Sequence, residues 1–312
     1  MEGDNDSVVT EFILVGISGG PHVKFTLFGF LFAIYLLTLV GNTLLILLTR
    51  VDLRLHTPMY FFLSNLSFLD ICYITINVPQ LMVHCLSKRP SISLGRCLAQ
   101  MYISRFLGIT ECLLLAVMAY DRWVAICKPL RYTLVMSNRV CLQLAAMSWS
   151  GSFLLCLSDF LAKQPRFCGP NVINHFACEL QAMLKLACSD TRSNQIVMVS
   201  TGVLVLLVPF SFILVAYVHI IAAVLRIHST QGRTKAFSTC ASHITVVALF
   251  YGAAIFVYLR PQSKSSPDQD KYISLFYGAV TPVLNPLIYS LRNKDVKEAH
   301  EEGSEAQMGE RN

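Results

Sequence analysis

Asp70 and Glu111 are acids set inside apolar runs, where a carboxyl group needs a proton, a cation or a hydrogen-bond partner to be tolerated. Two such groups can share one proton, or with further oxygen donors they can hold a hard cation or an ordered water. Arg105 stands in the same apolar block as Glu111 and carries a rigid fork of N–H donors, suited to a carboxylate or another strong acceptor. That fork can equally be spent inside the protein, on Glu179, Glu111 or Asp159. Asp121 and Arg122 close the block as an adjacent acid and base, a pair that stays hydrated at a membrane boundary or is released toward a partner. His175, Cys178 and Glu179 have the donor types of a copper or zinc site.

The chain around these residues is not built for water. Of 312 residues only 14% are charged and the mean hydropathy is +0.55, against about 25% charge in soluble domains. The net charge of +6 is scattered, so the clustered basic footprint of a nucleic-acid binder is missing and no nucleic acid is expected as a partner. Residues 1–24 carry Glu2, Asp4, Asp6 and Glu11 without a basic start or small-residue cleavage site, so no cleaved signal peptide is expected.

Stretches near 25–48, 58–81, 98–120, 140–161, 196–225, 237–259 and 272–291 are each long and apolar enough to cover a hydrocarbon core, which takes about 20 helical residues. Lipid leaves a backbone no hydrogen-bond partners, so helices are predicted, and the short alternating segments of a membrane barrel are absent from the sequence. The expected fold is therefore an all-α seven-helix bundle over residues 25–291, between an N-terminal segment, 1–24, and a tail, 292–312. The third segment is the weakest, because it contains Arg105 and Glu111.

Lys and Arg vote almost equally for the two orientations. Two other features decide. Asn5-Asp6-Ser7 is an N-glycosylation sequon, and the 162–195 loop holds Cys168, Cys178 and Cys188 on the same face, which Cys97 joins from the start of the third helix. That face is the extracellular one and the C-terminus is cytosolic. Four outer cysteines allow three pairings, and Cys85 lies near enough to compete. A second sequon, Asn65-Leu66-Ser67, falls inside the second helix, out of reach of a glycan.

Four blocks then narrow the class. Leu55-His56-Thr57-Pro58-Met59-Tyr60-Phe61-Phe62-Leu63-Ser64-Asn65-Leu66-Ser67-Phe68-Leu69-Asp70 opens the second helix, and Met118-Ala119-Tyr120-Asp121-Arg122-Trp123-Val124-Ala125-Ile126-Cys127 closes the third. Lys235-Ala236-Phe237-Ser238-Thr239-Cys240 with Phe250-Tyr251-Gly252 marks the sixth, and Pro282-Val283-Leu284-Asn285-Pro286-Leu287-Ile288-Tyr289-Ser290-Leu291-Arg292-Asn293 the seventh. Over roughly residues 8–300 the chain resembles the olfactory family of the rhodopsin-like G-protein-coupled receptors. It departs from the family at Trp123, where a tyrosine usually follows the Asp-Arg pair.

The resemblance implies a receptor at the plasma membrane, with no catalysis, that takes small, mostly hydrophobic volatile ligands in the outer half of the bundle. It also implies activation of a stimulatory, olfactory-type heterotrimeric G protein and a rise in cyclic AMP. It implies Cys97–Cys178 and Cys168–Cys188 bridges, which would deny Cys178 to a metal, so no metal site is assigned at His175. Asp121, Arg122, Tyr217, Asn285, Pro286 and Tyr289 are the implied coupling residues, and Asp70, Glu111 and Asn285 the implied site for sodium or water, the one candidate cofactor. Pocket positions carried from the family are Ser104, Ile109, Met198, Thr201, Val205, Tyr251, Ile255 and Tyr258.

Arg105 lies about five helical turns, near 25 Å, above Arg122, which is ligand depth, and Met101, Arg105, Gly108 and Cys112 form one stripe on the helix. His56 and His243 read as packing or hydrogen-bonding residues at cytosolic helix ends. After the seventh helix, Arg292, Lys294 and Lys297 suit a short juxtamembrane helix on anionic lipid, and the tail from Glu298 is expected to be mobile. A transporter or proton pathway through Asp70, Arg105 and Glu111 is the alternative, and it lacks the inverted repeat and paired broken helices of that class. An intramembrane hydrolase built on Asp70 and Glu111 lacks a substrate-handling motif.

Overall fold

The computed structural model describes residues 9–16, 19–161, 165–168, 170–258 and 267–292. Asn5, the juxtamembrane basic residues from Lys294 and the tail fall outside them.

Six long helices cross the apolar layer without interruption: α1 (Pro21–Val51), α2 (Pro58–Leu86), α3 (Leu94–Cys127), α5 (Asn138–Leu161), α7 (Arg192–Leu225) and α8 (Thr230–Tyr258). Their starts follow local chemistry. Proline occupies the first turn of α1 and α2, where its missing N–H costs nothing, and the Ser93 hydroxyl accepts from the Arg96 N–H at the head of α3. The seventh crossing is a composite. It consists of α9 (Pro267–Leu275), a π-helical turn at Phe276–Val280 and α10 (Thr281–Arg292). Most helices overrun the predicted segments at one or both ends, because hydropathy marks the hydrocarbon layer while the helices continue into the headgroup region.

α3 sits at the centre, packed against α2, α5, α7 and α8, and the main apolar core gathers round it. On the inner side, a 3₁₀ turn at Pro129–Arg131 and a short helix, α4 (Tyr132–Val135), bring Tyr132 back against α3. Asn65 is occupied within the bundle, donating to the Phe61 carbonyl and accepting from Trp149 Nε1 at 3.1 Å, so the second sequon has a structural role.

The outer face holds a feature the helix count does not anticipate. Residues Glu11–Leu14 form a strand, β1, at the centre of a three-stranded sheet. β1 pairs antiparallel with β2 (Ser91–Ser93) and parallel with β3 (Val172–Ile173) of the long outer loop, which also carries a five-residue helix, α6 (Leu180–Leu184). Phe12 and Leu14 are fully buried there with Ile92, Cys97, Ile173 and Cys178. The bridges are Cys97–Cys178 and Cys168–Cys188, with Cα atoms 5.4 and 5.9 Å apart, and Cys85 is a free thiol.

Candidate functional site

Between α2, α3, α7, α8, the π-helical turn and the outer loop lies a cavity of about 240 Å³. It has the volume of roughly eight liquid waters, enough for a small organic molecule. α3 supplies the predicted stripe, with Met101, Arg105, Gly108 and Cys112 all in the wall beside Ser104 and Ile109. α7 adds Met198, Thr201 and Val205. The roof is Phe176–Gln181 of the outer loop, anchored by the Cys97–Cys178 bridge and by the Cys178 N–H donating to Gln100 Oε1 at 3.2 Å. A Cβ at Gly108 would meet nothing nearer than the Tyr277 hydroxyl at 3.9 Å, so this glycine leaves open space beside Arg105.

Two of the expected wall residues, Tyr251 and Ile255, stand elsewhere, and a third, Tyr258, is not described. Tyr251 lies behind the wall, fully buried, donating from its hydroxyl to the Cys112 carbonyl at 3.2 Å and stacked on Phe210. Ile255 packs on the main core beyond the cavity. The Tyr258 side chain lies outside the described residues. In their place the wall uses Phe250, Ala253 and Ala254 of α8. It also uses two groups that sequence reasoning missed: Tyr73, Asn77, Val78 and Leu81 of α2, and Ser274, Tyr277 and Gly278 of the seventh crossing. Asn77 was the available signal, an amide in an apolar helix one turn from Tyr73. The Ser104 hydroxyl donates to its side-chain oxygen at 3.2 Å.

Arg105 is paired. Its Nε donates to Asp159 Oδ2 at 2.6 Å, with the two side chains 19% and 5% exposed, and this selects one of the internal acids considered for it. Nη2 is buried and has no acceptor among the described residues. Glu179 faces the cavity, and its carboxylate lies 3.6 Å from His175 Nε2.

Below the cavity a line of buried polar groups runs inward. Asp70 Oδ2 accepts from Asn285 Nδ2 at 2.9 Å, tying α2 to α10, and Asn42 Nδ2 donates to the Pro282 carbonyl at 3.1 Å, tying α1 to it. Gly41 permits that approach, since a Cβ there would lie 3.3 Å from Pro286 Cγ. Asn285 Oδ1 and Glu111 Oε1 are buried and without hydrogen-bond partners among the described residues. Orphaned oxygens beside a second acid make a donor set of the kind a hard cation or an ordered water takes, so the residues present fit such a guest.

One turn further in, His243 corrects its placement at a helix end. It is fully buried and joins three helices: Nε2 donates to the Leu115 carbonyl of α3 at 3.1 Å, and Nδ1 meets the Tyr217 hydroxyl of α7 at 2.7 Å. Tyr289 is buried close by in the same core, its hydroxyl without a partner among the described residues. At the inner end, Asp121 is buried and accepts from the Tyr132 hydroxyl at 2.7 Å. Burial first, and then the adjacent Asp121 carboxyl, push the Tyr132 hydroxyl well above the usual phenol range, so it remains a donor throughout the neutral range. Arg122 Nε has no acceptor among the described residues, and Trp123 carries the Lys128 ammonium over its ring at 4.5 Å.

Comparison with known proteins bears on this arrangement. The sequence profile of a family described as "Olfactory receptor" matches residues 31–302. The chain is 56% identical to human (Homo sapiens) olfactory receptor 13H1, covering 96% of this chain and 97% of that one. It is 51% identical to mouse (Mus musculus) olfactory receptor 2C1, covering 96% of each. Among solved structures, squid rhodopsin superposes with a TM-score of 0.71 at 19% identity, over 91% of this chain and 81% of the other, a likeness of fold.

Proposed function

The chain belongs to the olfactory receptor family, within the rhodopsin-like G-protein-coupled receptors, and on that premise we propose that it binds small, mainly hydrophobic volatile ligands in the outer cavity and activates a stimulatory, olfactory-type heterotrimeric G protein to raise cyclic AMP. It is a multi-pass plasma-membrane receptor and not an enzyme.

One observation carries the finer reading. A single helix, α3, lines a cavity at its outer half and presents the Asp121-Arg122 pair at its inner end, with His243 bridging it to α7 and α8 in between. A ligand changes the signalling equilibrium only by its difference in affinity for two arrangements of the bundle. The cavity lies on the elements whose relative position sets the inner end, so a ligand that favours a shifted α7 and α8 biases that end.

In this proposal Ser104, Arg105, Gly108, Ile109, Met198, Thr201 and Val205 contact the ligand. Asp70, Glu111 and Asn285 surround a sodium ion or water that offsets the buried acids. Pro286, inside α10, removes a helix hydrogen bond and lets the segment bearing Tyr289 turn. Tyr217 and Tyr289 then move toward Arg122 as it turns to the G protein.

The test is cyclic AMP in cells expressing the receptor with an olfactory stimulatory G protein, screened against acidic, alcoholic and neutral volatiles. A response lost in Arg122→Ala at equal surface expression is expected. A full response retained in that variant would overturn the coupling role.

A further inference from the structure

We infer that the Arg105–Asp159 pair is a specificity element that selects neutral ligands carrying a hydrogen-bond acceptor, such as aldehydes, ketones and esters, and disfavours carboxylates. This deepens the proposed function and rests on the cavity being the ligand site.

Arg105 is the cavity's cationic wall residue among those described, and it does not act as a free cation, because Asp159 bonds its Nε at 2.6 Å and is itself almost fully buried. The other charged wall residue, Glu179, is acidic. A carboxylate ligand would therefore bring a further negative charge into a wall whose positive charge is already matched, and like charges in a low-dielectric site repel strongly.

Hydrogen-bonding capacity is a separate matter. A guanidinium has five N–H donors, and the bond to Asp159 uses the Nε one. The four terminal donors remain, Nη2 is buried without an acceptor among the described residues, and Gly108 leaves space on the same stretch of the α3 wall, so a turn of the guanidinium toward the cavity presents a terminal N–H to a ligand oxygen. A carbonyl oxygen supplies the acceptor without adding charge. The rest of the wall is dominated by apolar groups such as Met101, Ile109, Val205 and Phe250, which suit a hydrocarbon body.

The test measures binding apart from signalling. The purified full chain in lipid nanodiscs is heated with matched straight-chain aldehydes, alcohols, carboxylates and alkanes of six to ten carbons, and apparent affinity is read from the shift in unfolding temperature. The parent is expected to bind its best aldehyde about tenfold or more tightly than the carboxylate of equal length. Asp159→Asn unbalances the guanidinium and is expected to move the preference toward the carboxylate. The double variant Arg105→Leu with Asp159→Leu removes both charges together, so no buried ion is stranded, and is expected to bind aldehyde and alkane equally. Carboxylate binding equal to or tighter than aldehyde binding in the parent would overturn the inference, as would a rank order unchanged in both variants, or no stabilisation by any of the series. Cyclic AMP is followed in parallel: the expected binding order without cyclic AMP would sink the coupling reading while leaving this inference in place.

Discussion

The residue with the most consequence per atom is Tyr132. Its hydroxyl is the donor to Asp121, and it reaches from the inner loop to the end of α3 where Asp121 and Arg122 are adjacent. A hydrogen bond of this kind to an acid contributes about 1.5–3 kcal/mol when the acid is charged, and losing it leaves a buried carboxyl group short of a partner. Tyr132→Phe keeps the ring and deletes that bond. The inner end of α3 should then be held less tightly in the resting arrangement, with basal cyclic AMP above the parent's at equal surface expression. Because the Tyr132 hydroxyl is held protonated far above neutrality, the donor side of this bond is not lost across the neutral pH range. Basal signalling in Tyr132→Phe indistinguishable from the parent would show that the bond is decorative.

At the scale of elements, β1 was invisible in advance and now makes a definite claim. Its four residues, Glu11–Leu14, alternate in burial as an amphipathic strand does, but four residues are too few to separate a strand from a loop, and the partners lie far away in sequence at Ser91 and Val172. The helices were legible for the opposite reason: a hydrocarbon layer imposes a length and a composition on each crossing whatever its neighbours are. The π-helical turn at Phe276–Val280 left no signal, since hydropathy does not register a change of hydrogen-bond partner. The site divides the same way. The α3 stripe was readable from helical periodicity, whereas the Asp159 partner of Arg105 depended on how α5 is rotated, which α5's nearly uniform hydropathy does not encode. If β1 does pin the cavity roof, Phe12→Ala should cost about 3 kcal/mol, seen as a lower unfolding temperature, because Phe12 is fully buried against Phe167 and the Cys97–Cys178 bridge. An unfolding temperature and ligand affinity equal to the parent's would mean that β1 merely rests on the roof.

Across the whole molecule, apolar side chains cover the outside of the bundle as well as filling its core. Large apolar side chains such as Val40, Leu154 and Val218 stand 64%, 63% and 65% exposed on the outside of the bundle, where lipid covers them, while Asn42, Asp70, Glu111 and Asn285 are buried at the centre. Lipid supplies no compensating water from the side, so the two central acids have to be balanced from within. Asn285 meets one oxygen of Asp70, and Glu111 Oε1 has no partner among the described residues, a set of oxygens that a cation or a proton would balance. Because the same residues join α2 to α10, whatever balances them also ties the resting bundle together. We therefore expect sodium, exchanged for a bulky organic cation at constant ionic strength, to raise the unfolding temperature of the ligand-free receptor. At a sodium concentration about a hundred times its dissociation constant the stabilisation would be about 2.7 kcal/mol. Asp70→Asn should flatten that dependence, since it removes a charge the ion would balance while keeping the shape that meets Asn285. A parent receptor indifferent to sodium, with an unfolding temperature that instead follows pH, would assign the balance to a proton shared between Asp70 and Glu111, and the bundle would then be a sensor of acidity at its centre and not of salt.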